Sequence, residues 1–111
     1  MFTLISELRT NGVIFVSGDR HAGEISSIKH PLVAYPIYDM TSSGLTNSIK
    51  PGNRREANPF RLSNTLFHTQ RNFGIVHITN DQNGVFVHLN LKDHQGISLI
   101  EHKVNLETLK F

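Results

Sequence analysis

Residues 13–21 read VIFVSGDRH. Positions 13–17 are dominated by apolar and β-branched side chains, the composition of a buried strand, and Gly18 ends the run. Asp19 and His21 then leave the strand's carboxyl end two residues apart, with Arg20 between them. In open α/β sheets that end of the strands faces the crevice where ligands bind. A carboxylate and an imidazole delivered there are common ligands for zinc, iron or manganese. D-x-H is a short pattern that also occurs in polar loops, where Asp19 would cap a turn and His21 would sit on the surface. One carboxylate and one imidazole do not fill a coordination shell of about four to six ligands, so a metal here needs partners from elsewhere.

Working outward, Leu4, Ile5 and Leu8 fall on one side of a helical wheel, and Asn11-Gly12 is a stop signal. The pattern predicts a short helix over 3–11 leading into the strand over 13–17, as in an αβ unit. Residues 22–31 are mixed in character and read as a loop or one irregular turn ending at Pro31. The stretch 32–41, LVAYPIYDMT, predicts a second strand, with Pro36 marking an edge or a bulge. Ser42-Ser43-Gly44 closes it with turn chemistry. Residues 47–58, NSIKPGNRREAN, form a polar, basic, exposed loop around Pro51-Gly52. The last third alternates: 73–79, 85–91 and 97–104 are three strands of a β-meander, separated by DQNG and KDHQG. With the first turn at 81–84, Val76 and Ile78 pair with Leu89 and Val87 on one apolar face, and His77 and His88 meet on the other. The tail 105–111 supplies a final turn of helix.

The length of 111 residues suits one small domain with one modest core. The chain has no cysteine, which excludes disulfides, thiolate metal sites and cysteine nucleophiles within it. Its net charge is +2 and its basic residues are scattered, apart from Lys50, Arg54, Arg55, Arg61 and Arg71. A polyanion-binding face needs a denser array, so nucleic-acid specificity is not expected. No apolar run approaches the ~18–20 residues of a membrane span. The first twelve residues lack the basic start and apolar stretch of a signal peptide.

Other residues carry weaker chemistry. His77 and His88 on neighbouring strands can bind zinc, but facing histidines on a wet sheet face are common and no third ligand is evident. Ser42-Ser43-Gly44 lacks the glycine-x-serine-x-glycine pattern of a nucleophile elbow and has no base beside it. Lys50, Arg54 and Arg55 can attract an anion, or simply solvate a loop. Asp39 at a strand end can support a site or cap a turn. Nothing marks His30, His68, His94 or His102.

Three segments in order are more specific than D-x-H alone: SGDRHAGEIS, YPIYDMTSSGLTNS and NFGIVHI. Together they make the chain, from about Val13 onward, resemble the carboxyl-terminal part of PhoD-like (alkaline phosphatase D) metallophosphoesterases. In that family a strand runs into G-D-R-H, and a Y-P-[LI]-Y-[DE]-x-T-S-S-G-L strand follows. A loop corresponding to Asn58-Pro59-Phe60-Arg61 and an N-F-G entry to closing hairpins come next. The first metal motif of calcineurin-like phosphoesterases is also D-x-H, but it is followed by G-D-x-x-D and G-N-H-[DE]. Neither occurs here, since Gly52-Asn53 continues into Arg54.

The resemblance therefore implies the last metal motif. It implies an α/β fold, the second half of a metallophosphoesterase αββα sandwich ending in an antiparallel meander. It also implies hydrolysis of a phosphomonoester or phosphodiester at a dinuclear centre of divalent or trivalent ions (Fe, Ca, Zn or Mn). Asp19 and His21 would be metal ligands and Arg20 would lie close to substrate. The remaining ligands lie upstream in the family, so the expectation is a fragment, residues 1–111 of a larger phosphatase domain, inactive alone. An exposed sheet edge would then favour self-association. Family members are often exported. A relic motif on a non-catalytic β-rich binding or assembly module is the alternative.

Overall fold

In a computed structural model, the described residues are 1–46, 58–62 and 70–111. The basic loop expected over 47–58, with Lys50, Arg54 and Arg55, lies outside the described residues except for Asn58, as does His68. The elements are α1 (Phe2–Glu7), β1 (Ile14–Ser17), β2 (Gly23–Ile28), β3 (Ile37–Ser42), β4 (Asn72–Asp81), β5 (Gly84–Asp93) and β6 (Ser98–Asn105). A 3₁₀ turn follows at Leu106–Thr108. The strands form two three-stranded sheets, ordered β1-β3-β2 and β4-β5-β6.

The expected α/β class holds only in part. The domain is mostly β, with two mostly antiparallel sheets and little helix; β1 and β3 are the one parallel pair described. The largest departure is β2, in a stretch read as a loop. GEISSI pairs antiparallel with β3 from Gly23↔Ser42 to Ile28↔Ile37. Its serines and glycine hide the period-two pattern: Gly23, Ile25 and Ser27 alternate with Glu24, Ser26 and Ile28. Pairing with β3 outweighs that weak strand propensity. The other edge of β2 is covered as well, by Ser27 N–H donating to Phe60 O (2.9 Å) and Leu62 N–H to Ile25 O (2.9 Å).

Two more boundaries shift. The helix expected over 3–11 is only six residues long, and of its apolar wheel Ile5 is buried while Leu4 and Leu8 are exposed. Left-handed backbone at Arg9 (φ 48°), just past its C-cap Leu8, ends it early. The strand expected over 32–41 begins instead at Ile37, because Pro36 has no N–H for a ladder. The preceding residues turn, and they place Val33 and Tyr35 in a cluster with Ile5, Ile37, Val104 and Leu109. The Tyr35 hydroxyl donates to Thr10 O (2.6 Å), tying this turn to the end of the helix.

The meander matches its expected register, with Val76↔Leu89, His77↔His88 and Ile78↔Val87. The second core lies between the sheets, where Ile25 and Met40 meet Val87, Leu89 and Leu91. The apolar face of β4 is covered only at its start. Gly74 stands against Met40 and Ser42, whereas Val76 and Ile78 are 43% and 64% exposed.

Asn72, the first residue of β4, joins the two sheets and is fully buried. Its N–H donates to Gly44 O (3.1 Å), and its side-chain amide donates to Gln70 O (2.9 Å). A methyl group at Gly23 would stand 2.5 Å from Asn72 Oδ1, and one at Gly44 would stand 2.9 Å from Asn72 Cγ. Both glycines are therefore needed for space. Gly44→Ala is expected to lower unfolding free energy by about 1–3 kcal/mol through overpacking, read from the urea midpoint at unchanged m.

Candidate functional site

Because β1 and β2 flank β3, the chain leaving β1 must cross the carboxyl end of β3 to start β2. Gly18 to Ala22 make that arch. Ser43, just past β3, pins it: its hydroxyl accepts from Arg20 N–H (2.9 Å) and lies 3.4 Å from Ala22 O, while its own N–H donates to Ala22 O (3.0 Å). The Ser42-Ser43-Gly44 turn thus braces a loop and has no nucleophile geometry.

Asp19 and His21 both have left-handed backbone, at φ 65° and 53°, on either side of Arg20. Such a conformation at a non-glycine residue is sterically unfavourable, and strain of this kind clusters at functional sites. Both residues are exposed, just past the end of β1. Asp19 and Arg20 line an open groove of about 610 Å³; His21 is not part of its lining. Among the described residues, no three or more histidine, aspartate or glutamate side chains converge to hold a metal ion.

The groove is floored by the outer face of the first sheet, where sequence reasoning named only Asp39. Glu24 is 2% exposed and accepts from Arg61 Nε–H (2.8 Å), with Arg20 Nε 3.8 Å from its other oxygen. Glu24 is buried and Arg61 partly exposed, and their contact ties β2 to the 58–62 segment. Alternation along GEISSI would have put Glu24 beside Asp39's face, had β2 been recognised. Asn58 adds a side-chain bond to the Ser26 hydroxyl (2.8 Å).

Ser17 donates to Asp39 Oδ2 (3.0 Å) and shares a 3.0 Å hydrogen bond with Thr41. The other oxygen, Oδ1, is buried without a hydrogen-bond partner among the described residues. Burial pushes the Asp39 carboxyl above its ordinary 3.8; the Ser17 hydrogen bond opposes this and the nearby Glu24 charge adds to it. The arrangement offers a carboxyl with raised proton affinity, the hydroxyls of Ser17, Ser26 and Thr41, and the Arg20 guanidinium around one open space.

A second cluster lies on the outer face of the meander. His77 and His88 face each other as expected, with ring centroids 5.7 Å apart. Glu101 and Thr79, which sequence reasoning left out, contact His88 at 2.7 Å and 3.0 Å. For Glu101, the register of β6 against β5 was the missing information. His102 lies on the opposite, inward face against Tyr38, and burial lowers its pKa.

Comparison with models of protein families, with curated proteins and with solved structures returns no match. Among the described residues no helix is long and apolar enough to cross a membrane.

Asp39 makes stability depend on pH. Its folded value lies above the unfolded one, so the native state binds the proton more tightly. Its contribution is greatest in acid and is lost as pH rises from about 3.8 through the raised folded value. Asp39→Asn is expected to flatten the stability profile across that window and to raise stability at pH 7 relative to wild type. Urea titrations at pH 4 and pH 7 check this.

Proposed function

We propose that this chain is the carboxyl-terminal part of a metal-dependent phosphoric ester hydrolase of the PhoD-like kind. In this role Asp19 and His21 contribute ligands to a dinuclear centre, and Arg20 meets the substrate phosphoryl group. The observation that carries the proposal is the strained arch at the end of β1. There two left-handed residues flank Arg20, the Asp19 carboxylate and the Arg20 guanidinium line a polar groove, and the exposed His21 imidazole follows just outside that lining.

The residues present suit such a centre in kind. Carboxylate and imidazole accept iron, zinc or manganese, and a guanidinium pairs with phosphate oxygens. When bound, the metals supply an activated hydroxide and neutralise phosphoryl charge. Arg20 orients the ester through its donors, while its contact with Glu24 holds the side chain toward the groove. Two protein ligands fall short of a full shell, so the further ligands have to come from outside the described residues. The substrate class is a phosphomonoester or phosphodiester. The same proposal has the chain associate through the edge of β1, where Val16 is 63% exposed.

The test is a phosphodiesterase assay with bis(p-nitrophenyl) phosphate and added Mn²⁺, Zn²⁺, Fe³⁺ or Ca²⁺, on the product of the complete gene. Asp19→Ala and His21→Ala are each expected to lower kcat/KM by roughly a hundredfold or more at unchanged circular dichroism. Wild-type activity in both variants, or no turnover with any of these metals, would overturn the assignment and favour the non-catalytic β-rich module. Sedimentation of the 111-residue chain should show concentration-dependent association that Val16→Lys weakens.

A further inference from the structure

The outer face of the meander carries a histidine pair that the proposed phosphoesterase centre does not use. His77 on β4 and His88 on β5 are directly opposed in register, and their rings lie 5.7 Å apart at an interplanar angle of 50°. Two imidazoles on one tetrahedral zinc, at Zn–N distances of about 2.0–2.1 Å, have centroids about 5 Å apart. The pair is therefore within a small side-chain adjustment of sharing an ion.

The surroundings of His88 add an independent pointer. Its Nδ1 lies 2.7 Å from Glu101 Oε1. An ionised carboxylate only accepts, so Nδ1 carries the proton, and in the neutral ring Nε2 keeps the lone pair. A carboxylate holding the far nitrogen of a histidine is the usual outer support of a metal-ligating imidazole, fixing tautomer and ring orientation and raising basicity. Nε2 now lies 3.0 Å from the Thr79 hydroxyl, which in this tautomer is the donor. That hydroxyl can turn to solvent without leaving a buried group unpaired. The cation facing His88 across the sheet, Lys103, is held 4.1 Å over the Phe86 ring, on the side away from Glu101.

We propose that His77 and His88 form a two-histidine site for a borderline divalent transition metal, Zn²⁺ or Cu²⁺, on the meander's outer face. Nε2 of His88 and a ring nitrogen of His77 are the ligands, Glu101 is the positioning carboxylate, and water completes the shell. The site stands apart from the β1 arch in sequence and in sheet, so it does not depend on the hydrolase assignment.

Isothermal titration of the 111-residue chain with ZnCl₂ and with CuCl₂ at pH 7.5 tests this. The expected result is saturable binding that His77→Ala and His88→Ala each weaken by roughly tenfold or more, and Glu101→Gln by about 10–100-fold. Thr79→Val removes the hydroxyl that competes for Nε2 and is expected to tighten binding. The double variant Asp19→Ala/His21→Ala leaves this component unchanged, which separates it from the proposed catalytic centre. Absence of saturable binding, affinity unaltered by both histidine changes at native circular dichroism, or weaker binding in Thr79→Val would overturn the proposal.

Discussion

Asn72 is the constraint around which both sheets are arranged. A fully buried amide at the start of β4 fits only because Gly23 at the start of β2 and Gly44 just after β3 have no side chains. A buried polar side chain must keep its hydrogen bonds or incur a desolvation penalty, so it fixes position more strictly than an apolar residue of equal size. The contact sets where β4 enters, how closely Gly74 approaches Met40, and hence how the inter-sheet core of Ile25, Met40, Leu89 and Leu91 closes.

The same end of the first sheet holds the arch over β3. Ser43 links the arch to β3 from one side, and the Asn72 N–H donates to Gly44 O from the other. The Asp19–His21 loop is therefore anchored to the sheet junction below it. Left-handed backbone at both residues persists because this surrounding structure determines it. The outer face of the first sheet then divides by chemistry. Phe15, Ile28 and Ile37 pack with α1, while Ser17, Glu24, Asp39 and Thr41 remain around the groove.

The meander was legible at the level of register. Alternation over 73–79 and 85–91, with a turn between, places His77 opposite His88, as the register of β4 and β5 has them. Burial on that face was not legible. Val76 and Ile78 alternate as core residues do, yet remain exposed because the first sheet reaches only as far as Gly74. Glu101 escaped notice because it meets His88 diagonally across β6, and the irregularity between Leu91 and Lys92 shifts that register. β2 escaped for a different reason, since serine and glycine carry little strand signal of their own.

By itself the sequence determined the local elements whose signals are strong and short-range. These are the strand into Gly18, the D-x-H exit from its carboxyl end, the meander and its first turn, and a helical turn in the tail. Each depends on side-chain periodicity or on one residue's backbone preference, which neighbouring residues suffice to express. Tertiary structure decided what depends on distant partners. It made 23–28 a strand, shortened α1, buried Glu24 beside Arg61, and left Asp39 with a raised proton affinity. Those outcomes arise from desolvation and pairing between segments far apart in the chain, which no local pattern encodes.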